Sequence, residues 1–172
     1  DIEIKDKTVT VRDYGRGIPL GAVIDCVSKI NTGGKYDSVA FQKSVGLNGV
    51  GTKAVNALST SFIVESFRDG QVKRAEFDKG ELVKDHKIEK TNDRNGTKMV
   101  FVADGSIFKN YTYLSEFVDE QLWNYAYLNA GLTINYNGQK FISKDGLKDL
   151  LIKKTNEAEL RYPIIHLKDK DI

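Results

Sequence analysis

Between Phe62 and Val102 apolar and polar residues alternate with period two, in four runs: Phe62 to Phe67, Val72 to Phe77, Leu82 to Ile88 and Thr97 to Val102. Asp69-Gly70, Lys79-Gly80 and Asn95-Gly96 separate them. Successive side chains of a strand point to opposite faces, so this pattern describes strands with one buried and one wet face. The glycine dipeptides supply the backbone freedom that tight reversals need. The stretch reads as an antiparallel meander whose outer face is the Lys/Glu alternation of residues 73–90.

Helical spacing flanks the meander. An opening hairpin (Ile2 and Ile4, a turn at Lys5-Asp6-Lys7, then Thr8 to Arg12) leads into Asp13-Tyr14-Gly15-Arg16-Gly17-Ile18-Pro19. A helix follows with Val23, Ile24, Val27 and Ile30 on one face, ending at Asn31 and Gly33. Residues 33–46 read as a loop, and a second helix begins near Gly49 with Ala54, Val55 and Leu58 inward. The longest helix spans about Tyr113 to Asn129, with Leu114, Phe117, Val118, Leu122, Tyr125 and Leu128 at core spacing. A hairpin turning at Asn137-Gly138 and a short helix around Gly146 to Lys153 close the pattern. Strands clustered between helices predict an α+β fold: a two-layer sandwich, a mostly antiparallel mixed sheet with helices on one face, forming one domain over residues 1–172.

Composition removes several classes. Residues are 40% hydrophobic and 29% charged, and no apolar run approaches a membrane span, so no membrane partner is expected. One cysteine makes no internal disulfide, which favours a reducing, cytoplasmic setting. A net charge of +2 is too small for a dedicated nucleic-acid surface. The only methionine is Met99 and no secretory leader is visible, so the chain reads as a piece of a longer protein, open at both ends.

The chemistry concentrates in three glycine clusters: Asp13-x-Gly15-x-Gly17, Gly33-Gly34-Lys35 and Gly46-x-x-Gly49-x-Gly51. Gly46 to Gly51 followed by Thr52-Lys53 is close to a Walker A loop with its last two residues exchanged. Moving the lysine one place along a helix swings it by about 100°, away from the phosphates, so that reading fails. A dinucleotide fingerprint fits poorly: the third glycine is Gly21, Pro19 interrupts the turn and no run of βαβ units follows. What remains has its own physical logic. Asp13, at a strand end, accepts hydrogen bonds and suits the exocyclic amino group of adenine. Gly15 and Gly17 let a flat base lie against backbone, with Ile18 and Pro19 as an apolar wall. The backbone amides of Gly46 to Gly51 suit phosphate, Lys35 adds a charge, and Thr97 brings a hydroxyl to the base side.

VRDYGRGIPLG (11–21), NTGGKYD (31–37), VGLNGVGTKAVNALS (45–59) and NGTKMVF (95–101), with Tyr127 to Leu132, resemble the ATP-site motifs of the B subunits of bacterial type II topoisomerases, DNA gyrase and topoisomerase IV. These belong to the ATPase superfamily shared with Hsp90, the MutL mismatch-repair proteins and histidine kinases. The resemblance implies that Asp13 binds the adenine amino group and Thr97 assists through water. It implies that Arg16 packs over the base, that Val11 and Arg68 line the rim where ATP-competitive inhibitors reach, and that Gly46, Leu47, Asn48, Gly49, Val50, Gly51 and Thr52 form a lid over the phosphates. Asn48 stands where gyrase-type sequences usually carry histidine, and Phe41 replaces a frequent tyrosine. The implied cofactors are ATP and Mg2+. The implied partners are a second copy of the same subunit in an ATP-dependent dimer gate, a topoisomerase A/C-type subunit and double-stranded DNA, at the nucleoid.

The same resemblance puts the general-base glutamate and the magnesium-binding asparagine on a helix before Asp1. Residues 1–172 alone are therefore expected to bind nucleotide weakly and not to turn it over. A MutL-like or Hsp90-like ATPase, a dinucleotide-binding domain and an interaction domain stand as the alternatives. Elsewhere the plain readings hold: Cys26 as a small buried residue, His86 and His166 without metal-ligand spacing, Trp123 as a packing residue, and Glu116, Asp119 and Glu120 on an outer helix face.

Overall fold

The computed structural model describes residues 1–30, 49–155 and 160–167. They fall into two compact units, Asp1–Thr112 and Tyr113–Ile172. In the first, strands β1 (Ile2–Lys5), β2 (Thr8–Arg12), β3 (Ser59–Arg68), β4 (Gln71–Asp78), β5 (Glu81–Asp85), β6 (Glu89–Lys90) and β7 (Gly96–Ala103) build a sheet in the order β5-β4-β3-β7-β2-β1, with β6 also on β4. Each of these pairings is antiparallel. β7, the last of these seven strands in sequence, lies between β2 and β3, so the chain joining those two strands is a crossover connection. That crossover carries a 3-10 turn (Leu20–Ala22), α1 (Val23–Ser28) and α2 (Gly51–Ala57).

The inward positions of β3 and β4 meet α1. Phe62, Val64, Ala75 and Phe77 form one buried cluster with Val23 and Val27, and Ile18, Ile24, Val55, Met99 and Phe101 pack against it. Phe62 and Phe77 face each other across the strands with ring centroids 6.1 Å apart, edge to face. The outer face carries charge, as the alternation requires. Glu65 lies between Arg74 on β4 and Lys98 on β7, its cross-strand neighbours. Glu76, opposite Ile63, has His86 Nε2 2.6 Å from its Oε1, whereas Lys73, opposite the inward Ser66, pairs with Asp85 on the other face. The hydrogen bond to His86 holds the Glu76 carboxyl below its usual range.

The inward face of α2 differs from the Ala54–Val55–Leu58 face expected. Ala54 and Leu58 are exposed, Val55 is half-buried, and the fully enclosed side chains are Lys53 and Asn56. Both are tolerated because each finds a backbone carbonyl: Lys53 Nζ donates to Gly49 O at 2.6 Å and Asn56 Nδ2 to Val27 O at 3.0 Å. Periodicity counts such residues as polar and rotates the helix wrongly. Strand β5 is exposed along its whole length, and the run to Ile88 breaks at Asp85.

Asp104, buried just past β7, ties three elements together. Its N–H donates to Leu58 O, and its carboxylate accepts from Ser106 N–H, Ser106 Oγ and Lys79 Nζ. The Ser106 bonds, first by the hydroxyl and then by the amide, with Lys79 behind them, pull its pKa from 3.8 to about 2. Because the folded value is depressed, this group stabilises the fold above about pH 4, and the contribution is lost as pH falls toward about 2. Asp104→Asn is expected to melt below the wild type at pH 6, with the gap closing between pH 4 and pH 2 on a thermal melt series; a gap that stays constant with pH would contradict this.

In the second unit, α3 (Ser115–Leu128) precedes the hairpin β8 (Ile134–Tyr136) and β9 (Gln139–Phe141) and then α4 (Leu147–Lys154). Leu122, Ala126 and Tyr127 are buried on α3, whereas Leu114, Phe117, Tyr125 and Leu128 are exposed. The inward stripe is therefore rotated from the one expected. Trp123 fixes it: its ring stacks on Tyr127 at 5.4 Å and meets Phe141 at 5.2 Å. Asp149, in the first turn of α4, fastens the preceding turn by accepting from Ser143 Oγ, Lys144 N–H and Asp145 N–H.

Candidate nucleotide site

Sheet register decides where the Asp13 turn goes. Arg12 pairs with Lys98, so Asp13 comes opposite Thr97 and donates its N–H to Thr97 O at 2.9 Å. Thr97 in turn pairs with Ser66 on β3. Directly opposed residues share a face, so Asp13, Thr97 and Ser66 form one polar row at the end of the sheet, on the side that carries α1. Val11, two residues before Asp13 and opposite Met99, extends this face with an apolar group. Thr97 and Ser66 are buried, while Asp13 is exposed.

The turn after Asp13 is bolted down. Asp13 Oδ1 accepts the Gly15 N–H at 2.8 Å, an Asx turn that fixes the carboxylate and leaves Oδ2 for another donor. Ser66 Oγ donates to Ile18 O at 2.7 Å, and Arg68 Nη1 reaches Gly17 O at 3.5 Å. Gly17 has φ of +76°, and a Cβ there would lie 2.5 Å from Phe67 O. Only glycine brings the backbone that close to the end of β3. Ile18 leans on the core, so the turn presents an acceptor, bare backbone and an apolar wall together. That combination suits a flat heterocycle bearing an amino group.

On the other side of α1, Gly49 has φ of +57° and precedes α2, which packs on α1. Lys53 is buried, with its Nζ donating to Gly49 O. Cys26 is half-buried, and burial pushes its thiol up against the pull of nearby Lys53. Among the described residues no group of three His, Cys, Asp or Glu side chains is placed to hold a metal ion.

No family model matches the chain. It is, however, 49% identical over 171 residues to the B subunit of DNA topoisomerase 4 from Borreliella burgdorferi, covering 99% of this chain and 28% of that one. It is 33% identical over 172 residues to the DNA gyrase B subunit of the same organism, covering 90% of this chain and 27% of that protein. Among solved structures it resembles the 43K ATPase domain of Thermus thermophilus gyrase B, crystallised in complex with an aminocoumarin. The TM-score is 0.75 at 26% identity, over 94% of this chain and 44% of that one. The chain belongs with the ATPase domains of the type II topoisomerase B subunits.

The α+β sandwich is thus the gyrase B type of ATPase fold, and the antiparallel pairing around Asp13 leaves no parallel βαβ unit there for a dinucleotide site. The chain spans just over a quarter of the length of the two Borreliella proteins. The structure brings together Val11, Asp13, Gly17, Ile18, Arg68 and Thr97, with Arg16 and Pro19 in the same turn. Gly49 and Val50 lead into α2, whose first residues are Gly51 and Thr52. Lys35, Phe41, Gly46, Leu47 and Asn48 lie outside the described residues. Ser66 is the residue the motifs missed. Its signal was present all the same: after Phe62 and Val64 it is the one hydroxyl at an inward position of that run.

Of membrane insertion one thing is plain: among the described residues no helix is long and apolar enough to cross a bilayer.

Proposed function

We propose that this chain forms the ATP site of a type II topoisomerase of the topoisomerase IV kind. The observation that carries the reading is the row Asp13–Thr97–Ser66 beside the bare backbone of Gly17. Adenine fits there: its amino group donates to Asp13 Oδ2, the Thr97 hydroxyl serves the same edge through water, and Ile18, Pro19 and Val11 wall the ring. Arg16 covers the base and Arg68 stands at the rim, where an ATP-competitive inhibitor would meet it. The amides of Gly46 to Thr52, with Lys35, take the phosphates. The lean toward topoisomerase IV is supported by the two proteins of one organism, 49% against 33% identical.

The described residues do not fit Mg2+ by themselves. The ion and the general base are expected on the family's preceding helix. In the complete subunit, ATP would draw two copies together as a gate while duplex DNA passes and an A/C-type subunit cuts and reseals it, and hydrolysis would reset the gate. The work belongs in the cytoplasm, at the nucleoid.

Asp13→Asn tests the reading. A hydrogen bond to a charged group contributes about 1.5–3 kcal/mol, so the variant of the complete subunit is expected to bind a non-hydrolysable ATP analogue roughly 10- to 100-fold more weakly by calorimetry. Unchanged affinity in a folded variant would remove adenine from this site.

A further inference from the structure

We propose that Arg12 is a positioning residue for adenine recognition: from the opposite face of the sheet it sets the spacing between Asp13 and Thr97. The inference rests on the ATP reading above. Arg12 alternates with Val11 and Asp13, so its side chain leaves the sheet away from α1. There its guanidinium lies 4.2 Å over the Phe67 ring and 5.0 Å from the Tyr14 ring, which the Arg94 guanidinium also approaches at 5.0 Å. Arg12 Nη2 donates to Arg94 O at 2.5 Å, which tethers the chain just before β7.

The position of Nη1 shows what this stack does. It lies 2.8 Å from the point where a Cβ on Gly96 would be, and that same point is 2.1 Å from Asp13 O. The guanidinium therefore fills the space that the missing side chain of residue 96 leaves, directly behind the contact between the end of β2 and the start of β7. Nη1 is buried and has no hydrogen-bond partner among the described residues. Leaving a buried donor unspent is unfavourable. Nη1 is thus poorly explained as a source of bonds and well explained as the edge of a flat wedge, held between rings and tethered through Nη2, that fixes where Asp13 stands relative to Thr97. Recognition groups must be held within about 0.5 Å to discriminate ligands.

Discrimination between ATP and inosine triphosphate reads this directly, because inosine puts a carbonyl where adenine has its amino group. A site built to accept that amino group should prefer ATP by roughly a hundredfold or more in the complete subunit. Arg12→Ala is expected to reduce the preference by about tenfold or more. Arg12→Lys, which keeps the charge but neither the flat stack nor the fork, should fall between. Asp104→Asn, at the far end of β7, should lower stability and leave the preference intact. An unchanged ATP preference in Arg12→Ala, whatever its melting temperature, overturns the proposal; if that variant does not fold, Arg12→Lys decides on the same ratio. Should Asp13→Asn also leave the ratio unchanged, the ATP reading itself has failed, an outcome distinct from loss of discrimination in Asp13→Asn alone.

Discussion

Gly96→Ala is expected to be among the most damaging single-methyl changes in this chain. The residue has φ of +138°, and its Cβ would lie 2.1 Å from the backbone oxygen of Asp13, which cannot swing aside as a flexible side chain would. Strain of this kind, with the loss of the close approach, is on the order of 3 kcal/mol. In a chain of this size that corresponds to a melting temperature lower by roughly 10 °C. The same displacement would part Asp13 from Thr97, so nucleotide affinity should fall with stability. Gly21→Ala supplies the comparison, since nothing lies within 4 Å of its Cβ position and it should be close to neutral. A Gly96→Ala variant within about 1 kcal/mol of wild type in urea would show that the strand junction is looser than described.

Phe62→Ala should cost about as much by another route. The side chain is fully buried, with Phe77 opposite on β4 and Phe101 opposite on β7. Truncating such a phenylalanine typically costs about 3–5 kcal/mol, part of it for the cavity left when the neighbours do not collapse. Here the neighbours are strands held in register on both sides, which limits collapse. Phe62→Leu should recover most of the loss, and chemical denaturation of the pair measures it. A loss below about 1 kcal/mol for Phe62→Ala would mean that α1 settles into the gap.

The two variants also mark where sequence and structure parted. The meander was legible because its alternation and its glycine dipeptides agree: β3, β4 and β7 lie within three residues of where period two places them. The Asp13 turn was legible because Gly15 and Gly17 are costly unless backbone must pass close by. The order of strands was not. Nothing local to residues 96–103 says that they insert between β2 and β3; that is a long-range choice made by which apolar faces fit together. The helix faces failed for a related reason. Lys53 and Asn56 are buried because carbonyls of Gly49 and Val27 happen to lie within reach, and a count of apolar residues cannot see a distant acceptor. Trp123 likewise turned α3 toward Phe141 against the apparent stripe.

The late insertion of β7 has a consequence for synthesis. From the moment β2 leaves the ribosome until residue 103 follows it, the inner edges of β2 and β3 have no partner between them. At about 5–20 residues per second that interval is roughly 5–20 s. An unpaired edge carrying valines and phenylalanines is a template for mispairing with other nascent chains. The half-made protein is thus a natural client for chaperones, and its recognition row comes into existence only when the last central strand locks in.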